Sequence, residues 1–221
     1  TEDVDYVIAS DTDSIYLNLG PLVEGVYKGR KETDEVIVGF IDKVCSMELE
    51  PYIESSYEAL AKYVNAYDQK MFMKRETIAN KGIWTAKKRY ILNAWDIEGV
   101  RFAEPKLKVM GIEAVKSSTP GACRDKIREC LKVIMNKDED AAQEFIAQFR
   151  EQFNELPIED IAFPRGCNGI NKWANQTSIY SKGTPIHVRG ALLYNYHNTK
   201  QRLTHKYPLI QDGEKIKFIY L

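Results

Sequence analysis

An α+β fold is predicted by three features of the 221-residue sequence. Short runs of alternating apolar residues stand at its start and middle, longer segments carry helical periodicity, and compact polar turns join the strand runs as hairpins. The expected architecture is a sub-domain of antiparallel sheet and packed helices over residues 1–113, followed by a mainly helical segment over 114–221.

The elements follow in order. Val4 to Ser10 and Ile15 to Leu19 read as two strands, with Asp11-Thr12-Asp13-Ser14 as the turn between them. From Thr33 to about Tyr67, Ile37, Phe40, Ile41 and Val44 and then Ile53, Tyr57, Leu60 and Val64 keep helical spacing, with Asp34 and Glu35 at the electropositive helix start. Pro51 should break or kink that helix. Lys70 to Ala79, Lys87 to Ile97, Val100 to Ala103 and Leu107 to Met110 read as strands, with Glu98-Gly99 as a hairpin turn. Ser117, Ser118 and Thr119 offer capping hydroxyls, and Pro120 suits a first helical position. The helix beyond carries Cys123, Ile127, Leu131 and Ile134 on one face, and a second, from Asp138 to about Leu156, carries Ala142, Phe145, Ile146, Phe149 and Phe153. The region after Pro157 reads as loop up to Pro185, and Asp212-Gly213 reads as a last hairpin turn before the alternating Ile216 to Leu221. The chain opens on Thr1 and closes on a strand pattern, so both ends are expected to be cut.

Composition narrows the function classes. Lys and Arg number 31 against 32 Asp and Glu, which excludes a wholly basic coat protein or an acidic tail. With 44% hydrophobic residues the chain can bury a sizeable core. Apolar runs such as Tyr90-Ile91-Leu92 fall far short of the roughly 20 residues of a spanning helix. Neither a membrane partner nor a signal peptide is expected. Cys45, Cys123, Cys130 and Cys167 form no C-x-x-C pair, and His187, His197 and His205 lack zinc spacing, so a reduced, cytosolic compartment is expected.

Asp-x-Asp occurs three times, at Asp3, at Asp11 and at Asp138, and only the second lies between two strand runs. A hairpin turn holds its carboxylates a few ångströms apart. Like charges that close repel unless a cation sits between them, and hard oxygen donors suit Mg²⁺ or Mn²⁺. The alternative reading is a polar turn, where aspartate is common. Charge is also segregated: Lys81 to Lys116 holds eight Lys and Arg against four acids, interleaved with Trp84, Tyr90 and Trp95, whereas Glu32 to Glu58 holds eight acids against Lys43. The basic stretch is either a phosphate-backbone surface or a solvated face.

With those residues in place, Asp11-Thr12-Asp13-Ser14-Ile15-Tyr16 resembles the aspartate hairpin of family B DNA polymerases, and Lys87-Lys88-Arg89-Tyr90 resembles the same family's Lys-Lys-x-Tyr motif, in the right order. Met71-Phe72-Met73, Arg75-Glu76, Ala103 to Lys108, Lys116 to Pro120 and His187 to Gly190 resemble the replicative polymerases of T-even-type bacteriophages.

The resemblance implies a C-terminal part of the palm over 1–113 and a partial thumb over 114–221. Asp13 would be a direct ligand of two Mg²⁺ or Mn²⁺ ions, Asp11 its partner, Glu76 a further nearby carboxylate, and Thr12 a neighbour of the incoming deoxynucleoside triphosphate. Lys87, Lys88, Arg89 and Tyr90 would lie beside the primer terminus. Lys116, Ser117, Ser118 and Thr119, with His187, Arg189 and Gly190, would lie along the duplex phosphates of the primer-template DNA. The family's first catalytic aspartate, its N-terminal palm, fingers and exonuclease portion, and the end of its thumb have no counterpart in the sequence. Lys74 stands where phage relatives carry an acid, and the loop from Ile78 to Trp84 is short. A phage-encoded chain would work in the host cytoplasm.

Two other readings stand beside this one. One is a non-catalytic DNA-binding or assembly module that complements a separately encoded polymerase half through open edges at Val4 to Ile8 and Ile216 to Leu221. The other, a nucleotide-sugar glycosyltransferase using the same Asp-x-Asp, calls for a βαβ start that the opening hairpin does not offer.

Overall fold

A computed structural model describes residues 5–220 and divides into two compact units, Thr1–Gly111 and Ile112–Leu221. The chain is α+β, and among the described residues every sheet is antiparallel. Val4, Asp3 and Leu221, which the strand and Asp-x-Asp readings include, lie outside the described residues.

In the first unit, β1 (Val7–Asp11) pairs with β2 (Ser14–Leu17) as the expected hairpin. A short helix that periodicity did not reveal, α1 (Gly20–Tyr27), follows it, with Pro21 in its first turn. Next comes α2 (Asp34–Val44), whose N-cap Thr33 accepts a hydrogen bond from the Val36 amide. Pro51 does not break the helix. The chain widens into a π-helical turn over Cys45–Leu49 and continues as α3 (Glu50–Tyr63) with Pro51 in the first turn, where its missing amide costs little. The Glu50 amide donates to the Cys45 carbonyl, five residues back.

Three strands, β3 (Thr77–Ala86), β4 (Arg89–Ile97) and β5 (Val100–Met110), form a sheet in that order. The strand expected from Lys70 instead begins at Thr77 and runs to Ala86. Lys87 and Lys88 leave the expected strand to form the β3–β4 turn, where Lys88 adopts φ +60°. The two runs around Pro105 are one strand, because β5 is a sheet edge and can spare the amide that proline lacks. The Glu98-Gly99 turn has both residues at positive φ, +52° and +84°, as a tight hairpin turn requires. Central β4 buries Tyr90, Ile91, Leu92, Asn93, Ala94 and Asp96, which explains its near-continuous apolar run. Val38, Ile41, Cys45 and Ile78 form the helix-side core, with Leu19, Val23 and Trp95 packed on it.

In the second unit, α4 (Gly121–Asn136) starts with Pro120 as its N-cap, and no side-chain hydroxyl caps it. Pro120 therefore stands one place earlier than expected. Leu131 and Met135 are its buried residues, whereas Ile134 is exposed. Asp138 caps α5 (Glu139–Phe153) by accepting from the Ala141 amide, which fits the polar reading of that third Asp-x-Asp. The stretch read as loop holds short elements: α6 (Ile158–Ile161), β6 (Phe163–Gly166), α7 (Ile170–Trp173), β7 (Ala174–Asn175) and β8 (Ile179–Tyr180). Of these, α7 and β8 pack with α8 (Ile186–Lys200) around Cys167, Ile170, Val188, Ala191 and Leu192. The Asp212-Gly213 turn leads into β9 (Lys215–Phe218), but the partner of β9 is the distant β6. Residues so far apart in sequence leave no local hairpin signal.

Candidate nucleic-acid interface and carboxylate hairpin

The carboxylate turn is built by local bonding. Thr12 takes φ +46°, the Asp13 amide donates to the Asp11 carbonyl at 2.6 Å, and Ser14 Oγ donates to the same carbonyl at 3.1 Å. Thr12 Oγ1 donates to Asp11 Oδ1 at 3.2 Å. Asp11 is half-buried and Asp13 exposed, so the tip offers two hard carboxylate donors to solvent. Such a pair fits Mg²⁺ or Mn²⁺, which bind through one or two carboxylates and complete their shell with water and phosphate. Among the described residues, no group of three His, Cys, Asp or Glu could hold a metal ion, so Glu76 does not join the two aspartates in one.

The hairpin faces the β3–β4 turn. Lys88 Nζ stands 3.8 Å from Asp11 Oδ2. A cleft of about 320 Å³ separates the two motifs, lined by Ser10, Asp11, Tyr16, Trp84, Lys87, Lys88 and Tyr90 among others. Its aromatic side is continuous: the Tyr16 ring lies 5.5 Å from Trp84 and 5.3 Å from Tyr90. Burial, followed by a hydrogen bond with the Tyr16 phenol, pushes the Tyr90 phenol up from its ordinary value. The structure thus brings together Asp11, Lys87, Lys88 and Tyr90. Tyr16 and Trp84 join them; the sequence placed Tyr16 in the hairpin motif and Trp84 among the aromatics of the basic stretch, but gave neither a role in bringing the two motifs together.

Glu76 lies just before β3, and its carboxylate is ion-paired with Lys108, which also donates to Thr77 Oγ1 at 3.0 Å. Glu76 and Asp13 both line a second, larger cleft of about 730 Å³ with an apolar wall that includes Ile15, Leu19, Ile37 and Ile41. Beside it lies an ionic network that sequence reasoning missed. Asp96, 1% exposed, is ion-paired with Arg75, sits 3.5 Å from Arg101 Nε and accepts from the Gly99 amide at 3.0 Å. Asp42 closes the network at 2.5 Å from Arg75, and Glu50 accepts from the Arg75 amide at 2.9 Å. Part of the segregated charge seen in the sequence is therefore matched internally, acidic α2 and α3 against basic β5 and Arg75.

In the second unit, Lys116 pairs with Glu113 at 3.1 Å, and Ser117, Ser118 and Thr119 occupy the turn before α4. His187 stacks on Phe218 with ring centroids 5.9 Å apart, and the Arg189 guanidinium lies 5.0 Å over Tyr180. A Cβ built at Gly190 would meet nothing within 4 Å, so that face of α8 is open to an incoming backbone. Residues from Arg165 to Lys217 hold nine Lys and Arg against Asp212 and Glu214, a bias that gives this unit a basic character. No helix among the described residues is long and apolar enough to cross a membrane.

No protein-family model matches the chain. It is 37% identical over 224 residues to the DNA-directed DNA polymerase of Escherichia phage RB69, a match covering 98% of this chain and 24% of that protein. It is 36% identical over 202 residues to the DNA-directed DNA polymerase of Enterobacteria phage T4, covering 88% of this chain and 22% of that protein. The chain thus spans about a quarter of the length of these curated relatives. Along nearly its whole length it is similar to a section of a T-even-type phage DNA polymerase.

Proposed function

We propose that this chain is a section of a family B replicative DNA polymerase, residues 1–113 serving as the C-terminal part of the palm and 114–221 as part of the thumb. It contributes to nucleotidyl transfer from deoxynucleoside triphosphates onto a DNA primer and is inactive by itself. The observation that carries this reading is the meeting of two motifs across one cleft, with Lys88 3.8 Å from Asp11. Similarity to two phage DNA polymerases supports it.

In this reading Asp11 and Asp13 hold the divalent ions and Thr12 lies beside the incoming nucleotide. When bound, a pair of divalent ions stabilises both the attacking primer oxygen and the departing pyrophosphate of the in-line displacement. Lys87, Lys88, Arg89 and Tyr90 hold the primer terminus, where a lysine in the minor groove can read acceptors common to every correct pair. Glu76, paired with Lys108, stays a neighbouring carboxylate. Lys116 to Thr119 and His187, Arg189 and Gly190 follow the duplex phosphates. The remainder of the polymerase is the protein partner, and the host cytoplasm is the compartment.

The test is fluorescence anisotropy of primer-template duplex with the chain. Weak, salt-sensitive binding that drops when Lys87, Lys88 and Arg89 become alanine supports the reading; the same affinity in the triple variant argues against the grip assignment.

A second reading is favoured by one observation. Among the described residues the hairpin is two-stranded, with Val7, Ile8 and Ile15 exposed at 52%, 47% and 41%. Such an edge suits a module that completes its sheet on a separately encoded polymerase half. Primer extension on mixing the chain with that half would select this reading, and continued inactivity would weaken it.

A further inference from the structure

We propose that Tyr16 is a positioning residue: its ring, seated between Trp84 and Tyr90, holds the Asp11–Asp13 tip against the Lys87–Lys88 turn. The functional consequence rests on the reading above, whereas the positioning itself is a property of the fold.

The hairpin needs an anchor. Two paired strands of five and four residues are marginal in water without a further surface to pack on. The Lys88–Asp11 pair cannot supply one, because the Lys88 side chain is 68% exposed and the pair is open to solvent screening. Tyr16 can. It makes an edge-on contact with Trp84 and a tilted one with Tyr90, at centroid distances of 5.5 and 5.3 Å, which are favourable arrangements for ring pairs.

The receiving surface is built into the middle of the sheet and shaped for that ring. Tyr90 is 8% exposed on the central strand, paired in register with Trp84 on one side and Met110 on the other. Trp84 lies back over Gly82, where a Cβ would fall 2.6 Å from its ring and 2.9 Å from Leu92. The missing side chain at 82 leaves the space that the indole occupies. Ring packing ties the second strand of the hairpin to the middle of the sheet.

Hydrogen–deuterium exchange of the 221-residue chain, read by mass spectrometry, tests this. Tyr16→Leu should speed exchange of peptides covering β1 and β2 about tenfold while leaving β4 and β5 peptides within about twofold. Tyr16→Phe, which keeps the ring, should restore most of the protection, and Trp84→Leu should reproduce the loosening from the other side. Lys88→Met should leave the hairpin as protected as in the parent chain. Unchanged hairpin exchange in Tyr16→Leu overturns the proposal, as does loosening by Lys88→Met alone. Loss of protection through all of β3 to β5 also overturns it, because that marks an ordinary core residue. Primer-template anisotropy on the parent chain reports separately on the polymerase reading, since exchange requires no DNA.

Discussion

Lys88 Nζ stands 3.8 Å from Asp11 Oδ2, so a lysine from one hairpin turn balances a carboxylate from another. The pair sets two opposite demands on one ammonium. It pairs with Asp11 when no cation is bound, and in the proposed reading it is one of the lysines that meet the primer terminus.

Lys88→Met should therefore act on both. Removing one cation near the backbone should lower the slope of log affinity against log salt by about 1 and weaken primer-template binding uniformly across sequences. The same variant should bind Mn²⁺ more tightly, by a few-fold, because Asp11 loses its competing counter-charge. Anisotropy across a salt series and electron paramagnetic resonance of free Mn²⁺ measure the two effects. A variant that left both unchanged would show that the pair plays no part in binding.

Gly111 should be intolerant of any side chain. Its φ is +66°, and an added Cβ would stand 2.1 Å from the Lys88 carbonyl oxygen, so backbone must move. Gly111→Ala should cost about 1–3 kcal/mol in urea unfolding and perturb the lysine turn. Gly25→Ala, where a Cβ meets nothing within 4 Å inside α1, is the matched control and should be neutral or slightly stabilising. Equal stability of the two variants would refute the steric argument.

Arg75→Met should be the most damaging single change in the first unit. Asp96 is 1% exposed and would keep only Arg101 Nε, at 3.5 Å, as a cationic partner. Breaking a buried pair leaves an under-compensated charge, at a cost of about 3 kcal/mol. By contrast Lys116→Ala removes an exposed pair with Glu113 and should fall within about 0.5 kcal/mol of the parent. Urea midpoints with constant m-values check both.

The sequence was most readable where structure is local. The carboxylate hairpin, the Glu98-Gly99 turn and the periodicity of α2, α4 and α5 all follow from neighbours within a few residues. It was least readable where a distant partner decides. Lys87 and Lys88 looked like strand residues because their basic, aromatic surroundings run on into β4, yet the turn falls on them with Lys88 at positive φ. The β6–β9 pairing joins residues about fifty apart and leaves no mark in either segment. Nothing local in the sequence pairs Arg75 with Asp96, since only tertiary packing brings them together and buries them. At the site, the sequence named both motifs, Tyr16 included, but not the packing of the Tyr16 ring on Trp84 and Tyr90, because that contact joins residues about seventy apart.

Alkaline pH should destabilise the chain beyond the ordinary loss of lysine charge. Burial pushes the thiols of Cys45, Cys123, Cys130 and Cys167 above their usual 9.0, and pushes the Tyr90 phenol above its usual 10.0. Each group is neutral when protonated, and each keeps its proton to higher pH in the folded chain than in the unfolded one. As pH rises past about 9, the unfolded state binds fewer protons than the native state, so the slope of stability against pH is negative. The loss continues until the folded groups ionise as well, and below the unfolded values these groups contribute no slope. Urea midpoints under reducing conditions should hold level to about pH 8.5 and fall thereafter. Cys45→Ala with Cys167→Ala should start lower, because two buried side chains are trimmed, yet decline less steeply, because two of the titrating groups are gone. A parent chain and double variant with parallel declines would mean that the Cys45 and Cys167 thiols are not the source.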